Sequence, residues 1–351
     1  MSRVGQFLGK LFAPQVGKNE AVLRAYGKLP FYAEYRRLDL APGTPTAFSQ
    51  WMDAGRLAWA RSVPSSTAGS VYTSRLLIRL PQAREVVVAS VWDSRDSLGR
   101  AFPFAFFVVC PPEALGNDPF QCWAAAFAIQ ATFENFHREL AVLGRGGDFY
   151  RLYQKRSVVL RPDDLAQRTK RLQYDAGAIA ADEWFKAALS NVDAGEWFSG
   201  LLRRAQRWKS QPGSVSELAL SVPLARGISS EAQALLWLSW IAEFIRQAGK
   251  SAWLVAPAEQ ALGRAALHIL VRDLLPNDFQ LLTTDAGDYG YVENLAQVPQ
   301  AGSSPRDLSP DSSPADSSPA DSSPADSPAT DSPADTPPTG SLLEWLTEHA
   351  P

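Results

Sequence analysis

Two short apolar runs that enclose a charged stretch constrain the fold of this chain more than any other feature of its sequence. The runs are residues 86–89 and 104–109, and they consist of valine, alanine and phenylalanine. Runs of this length that are rich in β-branched and aromatic residues are typical of buried strands. The stretch between them holds two aspartates, two arginines and a glycine. The sequence therefore predicts a hairpin with core strands and a charged turn.

The residues of this turn fit a hairpin, but its charges have two interpretations. Gly99 permits backbone conformations that other residues resist, and Pro103 stands at the start of the second strand, where a missing donor is tolerated. The charged side chains Asp93, Asp96 and Arg100 either shape the turn or form an acid–base site. A catalytic interpretation requires partner residues elsewhere in the chain.

Such partners are not evident in the sequence. The three histidines include no pair at metal-ligand spacing, and the chain lacks C-x-x-C, G-x-S-x-G, P-loop and G-x-G-x-x-G motifs. His268 interrupts an apolar strand pattern and is predicted to be a core residue. These observations favour a binding module without metal or cofactor over an enzyme. A hydrolase or transferase that uses the Asp96 and Arg100 turn is the catalytic alternative.

Apolar periodicity predicts an α/β (α+β) body, with a mixed β-sheet flanked by helices. The predicted helices are residues 45–61, 117–143, 182–209 (with a possible break near Gly195) and 230–248. The other predicted strands are residues 71–80, 216–224, 251–256, 266–271 and 279–283. We divide the chain into an N-terminal extension (1–20), a first α/β half (21–160), a second α/β half (161–301), a linker (302–340) and a short C-terminal helix (341–351).

Composition places the chain among soluble cytoplasmic proteins. No apolar run reaches the roughly 18 residues that a membrane span requires, and no signal peptide is evident. Two cysteines within apolar segments suit a reducing compartment. The net charge of −3 comes from an acidic C-terminal region, since the first 301 residues carry a net charge of +5. A positive balance this small does not predict nucleic-acid binding.

The C-terminal region has two parts with different expectations. Residues 302–340 are rich in Ser, Pro, Ala and Asp, with five-residue repeats from Ser312, and this composition predicts a disordered linker because it cannot bury a core. The following residues 341–351 predict a short helix that is too short to be stable alone. It therefore binds either its own body or a groove on a partner, and its apolar residues are Leu342, Leu343, Trp345 and Leu346.

Two motifs in the first half resemble the TagF/ImpM family of type VI secretion accessory proteins. The first is Tyr26-Gly27-Lys28-Leu29-Pro30, and the second is Ser90-x-x-Asp93-x(5)-Gly99-Arg100-x-Phe102-Pro103. The spacing of the second motif fits the family better if Asp96 occupies the acidic position and Asp93 is additional. The resemblance covers roughly residues 22–145.

The resemblance implies a non-catalytic cytoplasmic regulator. Members of this family restrain assembly or firing of the secretion apparatus after translation, by binding a forkhead-associated scaffold protein. It implies that Lys28, Asp96, Gly99 and Arg100 form a structural and interaction surface. The other non-catalytic alternative is an adaptor that tethers a partner through its tail helix.

Overall fold

A computed structural model of the chain describes most of residues 20–295 and a short C-terminal segment. The described residues are 20–62, 73–116, 119–143, 147–154, 156–159, 161–189, 192–211, 219–247, 253–257, 266–282, 292–295, 340–342, 344 and 346. The predicted N-terminal extension and the predicted disordered linker, except for Glu20 and Gly340 at their ends, lie outside the described residues. So do Leu343 and Trp345 of the predicted tail helix.

Groups of strands are separated by groups of helices along the described chain. The strands are β1 (Glu20–Val22), β2 (Arg24–Gly27), β3 (Arg36–Leu38), β4 (Ser74–Ile78), β5 (Val86–Trp92), β6 (Phe104–Cys110), β7 (Ser157–Val159), β8 (Ala219–Pro223), β9 (Trp253–Pro257), β10 (Ala266–Leu270) and β11 (Glu293–Asn294). The α-helices are α1 (Thr44–Ser62), α2 (Pro119–Leu143), α3 (Phe149–Tyr153), α4 (Pro162–Gly177), α5 (Ala181–Ala188), α6 (Ala194–Ser210) and α7 (Ser230–Gln247), and short 3₁₀ helices span Pro112–Ala114 and Pro276–Leu282.

A nine-stranded sheet organises the molecule. Its strand order is β11-β8-β10-β9-β4-β5-β6-β2-β3, and a separate two-stranded sheet pairs β1 with β7. The β11–β8 pair is parallel and the other neighbours are antiparallel, so the sheet is mixed. The predicted α+β class with a mixed sheet is confirmed. Strand β4 joins β9 in an antiparallel pair, so one sheet continues through both predicted halves of the body.

Helices cover both faces of this sheet. Successive side chains of a strand point to opposite faces, and Phe106 and Phe107 of β6 show the result. The Phe107 ring lies 4.7 Å from the Phe48 ring of α1, whereas the Phe106 ring lies 6.4 Å from the Phe133 ring of α2. Both strands of the predicted hairpin, β5 and β6, are buried almost throughout because they lie between these two helical layers.

A partly buried ionic network joins helices α2, α4 and α7 to β4, the central strand of the sheet. Arg75 of β4 donates from Nε to Glu134 of α2 at 3.0 Å and from Nη1 to Glu231 of α7 at 2.8 Å. Arg168 of α4 also binds Glu231, at 2.8 Å. The charges are paired, which offsets the free-energy cost of removing them from water.

One sequence prediction for local structure is corrected, and the possible break near Gly195 is confirmed. The strand predicted for residues 279–283 is wrong, because residues 279–282 belong to the 3₁₀ helix Pro276–Leu282. Asp278 stabilises this turn by accepting hydrogen bonds from the Leu275 amide and from Arg272. The predicted helix 182–209 is two helices, α5 and α6. The second begins after Asp193, whose carboxylate caps it by accepting from the Glu196 amide at 2.8 Å.

His268 is a core residue, as predicted, and its burial has a pH consequence. It lies in β10 between Ser221 of β8 and Val255 of β9. Burial disfavours the charged imidazolium and lowers its pKa from 6.5 to about 4. The unfolded chain therefore takes up a proton before the folded chain does as the pH falls.

We expect this difference to cost stability in mild acid. The contribution of neutral His268 to the free energy of unfolding is complete above about pH 6.5. It is lost as the pH falls toward 4, with a maximum loss of about 3 kcal/mol. The measurement is the free energy of urea unfolding across this range for the wild type and for His268→Leu. The free energy of unfolding should fall less steeply with decreasing pH in the variant than in the wild type. Parallel falls would contradict the lowered pKa of His268.

Among the described residues, no helix combines the length and the apolar character that crossing a bilayer requires.

Candidate interaction site

The carboxylate of Asp96 lies at the centre of the charged turn and is fully enclosed. Its Oδ1 accepts hydrogen bonds from the backbone amides of Leu98 at 3.0 Å and Arg100 at 2.8 Å. Its Oδ2 pairs with Lys28 Nζ at 3.0 Å and with Arg100 Nε at 2.7 Å. The Asp96 side chain has no solvent-accessible surface. Oδ1 thus accepts from two neutral backbone amides, and Oδ2 contacts two cationic side chains.

These donors keep Asp96 ionised despite its enclosure. Removal from water opposes ionisation, but the Arg100 amide, the Lys28 ammonium, the Arg100 guanidinium and the Leu98 amide together outweigh it. They hold the pKa of Asp96 well below its usual range. Asp96 therefore remains an anion across the physiological pH range and is a poor proton donor or acceptor.

The turn that follows Asp96 is closed by its own backbone. The Asp96 amide donates to the Arg100 carbonyl at 3.1 Å, and the Gly99 amide donates to the Asp96 carbonyl at 2.9 Å. Gly99 has φ of 79°, in the left-handed region that glycine enters without strain. At the tip, Leu98 is 68% exposed. The result is a rigid turn that presents an aliphatic side chain to solvent.

The structure brings the two sequence motifs into one unit, although they are some sixty residues apart. The ion pair between Lys28 and Asp96 is one connection. A second is the Ser94 hydroxyl, which donates to the Lys28 carbonyl at 2.7 Å. Strand pairing adds a third, because Gly27 at the end of β2 lies opposite Phe104 at the start of β6. We call this unit, residues 26–35 with 93–103, the double-motif loop.

The segment after the first motif is held in the same way. The Ser97 amide donates to the Tyr32 carbonyl at 3.1 Å, and Arg100 Nη2 donates to the Ala33 carbonyl at 2.6 Å. Half of the Arg100 side chain nevertheless remains in solvent. Arg100 thus connects the two segments while about half of its side chain stays exposed.

An aromatic cluster supports the double-motif loop from below. The Tyr26 ring stacks on Tyr35 with centroids 5.6 Å apart, and Phe102 packs edge-on against both rings. Lys28 Nζ lies 5.1 Å from the centre of the Tyr35 ring. Edge-to-face and stacked pairs of this kind contribute beyond the area that they bury. Tyr26 and Phe102 of the motifs are therefore structural supports of the turn.

Asp53 of α1 belongs to this cluster and was not predicted from the sequence. Tyr26 Oη donates to both Asp53 oxygens, at 2.8 and 2.9 Å. Burial and then the bond to Asp53 raise the pKa of Tyr26 well above its usual range. Asp53 directly follows the buried residue Met52, and an acidic residue beside an apolar helical stripe is the signal that could have marked it.

The remaining motif residues are divided between core and surface. Leu29 and Pro103 are buried and Pro30 is exposed. Ser90 is buried within β5, where its cross-strand neighbours are Arg75 and Phe106.

Asp93 differs from Asp96 in its surroundings. Its side chain is exposed, and its charge interacts with Arg56 of α1. The structure thus makes Asp96, and not Asp93, the acidic centre of the turn.

The described part of the predicted tail helix lies on the body of the same chain. Leu342 and Leu346 are buried, whereas Glu344 is exposed. Of the two sequence alternatives for the tail, this arrangement corresponds to binding its own body.

No group of three or more potential metal-ligating side chains occurs in the part of the chain that the structure describes.

Comparison with known proteins identifies a distant structural neighbour. No family model matches the chain, and no curated protein matches it. The chain is similar to the crystal structure of PA0076 from Pseudomonas aeruginosa PAO1, with 14% sequence identity and a TM-score of 0.36. The alignment covers 76% of this chain and 96% of that chain. The TagF/ImpM resemblance stays a prediction based on the two sequence motifs.

Proposed function

We propose that this protein is a non-catalytic cytoplasmic regulator that binds another protein through the double-motif loop. The observation that carries the proposal is the construction of this loop. Two separate motifs are locked together around Asp96, and the turn they form presents Leu98 and Arg100 to solvent. A surface ordered before binding avoids most of the entropy cost of ordering loops at an interface.

The state of Asp96 supports binding over acid–base chemistry. A general base must reach a substrate proton and must have a pKa near the working pH. Asp96 is enclosed by four donors, and its pKa is held well below the usual range. The alternative of a hydrolase or transferase built on Asp96 and Arg100 would require the carboxylate to leave these partners first.

The resemblance to the TagF/ImpM family suggests the partner and the role. We propose that the double-motif loop binds a forkhead-associated scaffold protein of a type VI secretion system and restrains assembly or firing of the apparatus. Leu98 suits the desolvated centre of such an interface, and Arg100 suits its polar margin, because interfaces place apolar anchors centrally and charges at the rim.

Replacement of Leu98 by aspartate should weaken binding without unfolding the protein. Leu98 is 68% exposed, so the folded state loses few contacts, whereas a charge at the centre of an interface would raise the Kd by roughly 100-fold. The measurement is isothermal titration calorimetry of the purified full chain against the forkhead-associated protein encoded with the same secretion system. Thermal unfolding of the variant should match that of the wild type.

Val142→Asp provides the matched control. Val142 is an exposed aliphatic residue (86%) on α2, outside the double-motif loop, and its replacement should leave the Kd unchanged. Equal binding by wild type and Leu98→Asp would contradict the proposed surface. Loss of binding on removal of residues 341–351, with Leu98→Asp unaffected, would instead support the adaptor that tethers its partner through the tail.

A further inference from the structure

The C-terminal segment, residues 340–346, docks at the corner between α4 and α5. Two backbone hydrogen bonds hold it there. The Ala181 amide donates to the Gly340 carbonyl at 3.0 Å, and the Leu342 amide donates to the Ile179 carbonyl at 3.0 Å. Between them, Ser341 forms a β-bridge with Ala180. The segment thus bends at Gly340, where φ is 114°, and enters the corner through the β-bridge at Ser341.

The corner offers backbone groups that its own helices leave unpaired. The last carbonyls of a helix and its first amides have no partner within that helix. Here the Ser341 hydroxyl donates to the carbonyl of Gly177, the last residue of α4, at 2.9 Å. The Ala181 amide, at the first residue of α5, is used by Gly340. The tail therefore supplies hydrogen bonds that this turn between helices cannot supply itself.

Two leucines add apolar contact to this backbone recognition. Leu342 and Leu346 are four residues apart in the short helical turn, which places them on the same side. Both are buried, with 0% and 1% exposure, and the intervening Glu344 is exposed. The described contacts that hold the segment thus include backbone and hydroxyl hydrogen bonds, together with two buried leucines.

The covalent connection to this segment is long. Residues 296–339 separate it from the last described residue of the body, a length that could extend to roughly 150 Å. The composition of most of this connection predicts disorder. A chain of this composition is expected to behave as a flexible coil, and a segment tethered by such a coil has an effective concentration on the order of 1 mM at its site. Docking would thus be maintained even if the segment itself bound only at micromolar strength.

We infer that the α4–α5 corner is a peptide-docking site and that the chain's own segment 340–346 is its detachable occupant. The site recognises the backbone of a Gly-Ser pair, followed by one helical turn with leucines four residues apart. While the segment is docked, it competes with any other peptide of this type. With an effective concentration about 100 times its dissociation constant, it weakens a competitor roughly 100-fold.

A labelled peptide of residues 338–351 tests this inference in the full-length protein. The receptor is the double variant Leu342→Asp/Leu346→Asp. Its own tail lacks the two buried leucines and should leave the corner free for the peptide. We expect the peptide to bind this variant with a Kd on the order of 10 μM, and to bind the wild type at least about tenfold more weakly. A peptide with the same two aspartates is the control and should not bind. Equal affinity for both proteins, or no binding to a folded double variant, would overturn the inference.

Cleavage of the connection provides a second test that does not depend on the double variant. A protease site placed within residues 302–339 allows the wild-type tail to be cut after folding. At nanomolar concentration the released tail should separate from the body on gel filtration, and the body should keep its circular dichroism spectrum. A tail that stays bound on dilution, or a body that unfolds when it leaves, would show that the segment is a permanent part of the core.

Discussion

Replacement of Gly27 by alanine is expected to destabilise the folded protein severely. Gly27 has φ of 133°, a conformation that is essentially confined to glycine. An added Cβ would lie 2.1 Å from the Pro103 carbonyl oxygen and 2.7 Å from Phe104 Cα. Both atoms belong to the backbone, so a rotamer change cannot relieve the clash. The two motifs would have to separate, and we expect a loss of more than about 4 kcal/mol in the free energy of unfolding.

Gly99→Ala separates the effect of the clash from that of backbone conformation. Gly99 also has a positive φ, 79°, but an added Cβ would meet nothing within 4 Å. Only the cost of the left-handed conformation should remain, about 1–2 kcal/mol. The measurement is urea unfolding of both variants followed by circular dichroism. Similar losses for the two variants would contradict the close approach of Gly27 to Pro103.

Replacement of Asp96 by asparagine should also destabilise the protein strongly. It removes the anion that pairs with Lys28 and Arg100, and the Lys28 side chain is only 8% exposed. Leaving a buried cation without its partner is strongly destabilising, and we expect the Tm to fall by roughly 10 °C. Asp93→Asn is the control, because Asp93 is exposed three residues earlier, and its Tm should change by less than about 1 °C.

Acid titration gives an independent measure of the same ion pairs. The folded pKa of Asp96 is below its unfolded value of about 3.9. Its contribution to stability is therefore complete above that value and is lost as the pH falls toward the folded pKa. Wild-type Tm should decline more steeply below pH 4 than the Tm of Asp96→Asn. Identical declines would mean that Asp96 is not held as an anion in the folded protein.

The predictions that succeeded from sequence depend on neighbours along the chain. Strands β5 and β6 were predicted from two apolar runs, because a strand buried on both faces must be apolar throughout. The helix 45–61 corresponds to α1, Thr44–Ser62, for a similar reason of periodicity. The spacing Asp96-x-x-Gly99-Arg100 also singled out the aspartate that lies at the centre of the turn, because the turn closes over only five residues.

Contacts between distant segments could not be predicted in this way. No pattern in the sequence indicates that Asp53 bonds to Tyr26, or that Arg75 connects two helices. Local periodicity also cannot distinguish a strand from a 3₁₀ helix where side-chain hydrogen bonds favour one of the two. Residues 279–283 have the pattern of a strand, but Asp278 and Arg272 stabilise a 3₁₀ helix there.

Many of the strands and helices and the charged turn follow from the sequence alone, because propensity, periodicity and turn chemistry act over a few residues. The tertiary structure decided which elements meet. It placed Lys28 against Asp96, joined β4 to β9, and seated Leu342 at the α4–α5 corner. These contacts depend on how strands and helices from distant parts of the chain pack together. Many arrangements of them have the same local sequence pattern, and the arrangement that buries the most apolar groups and pairs the most polar groups is favoured.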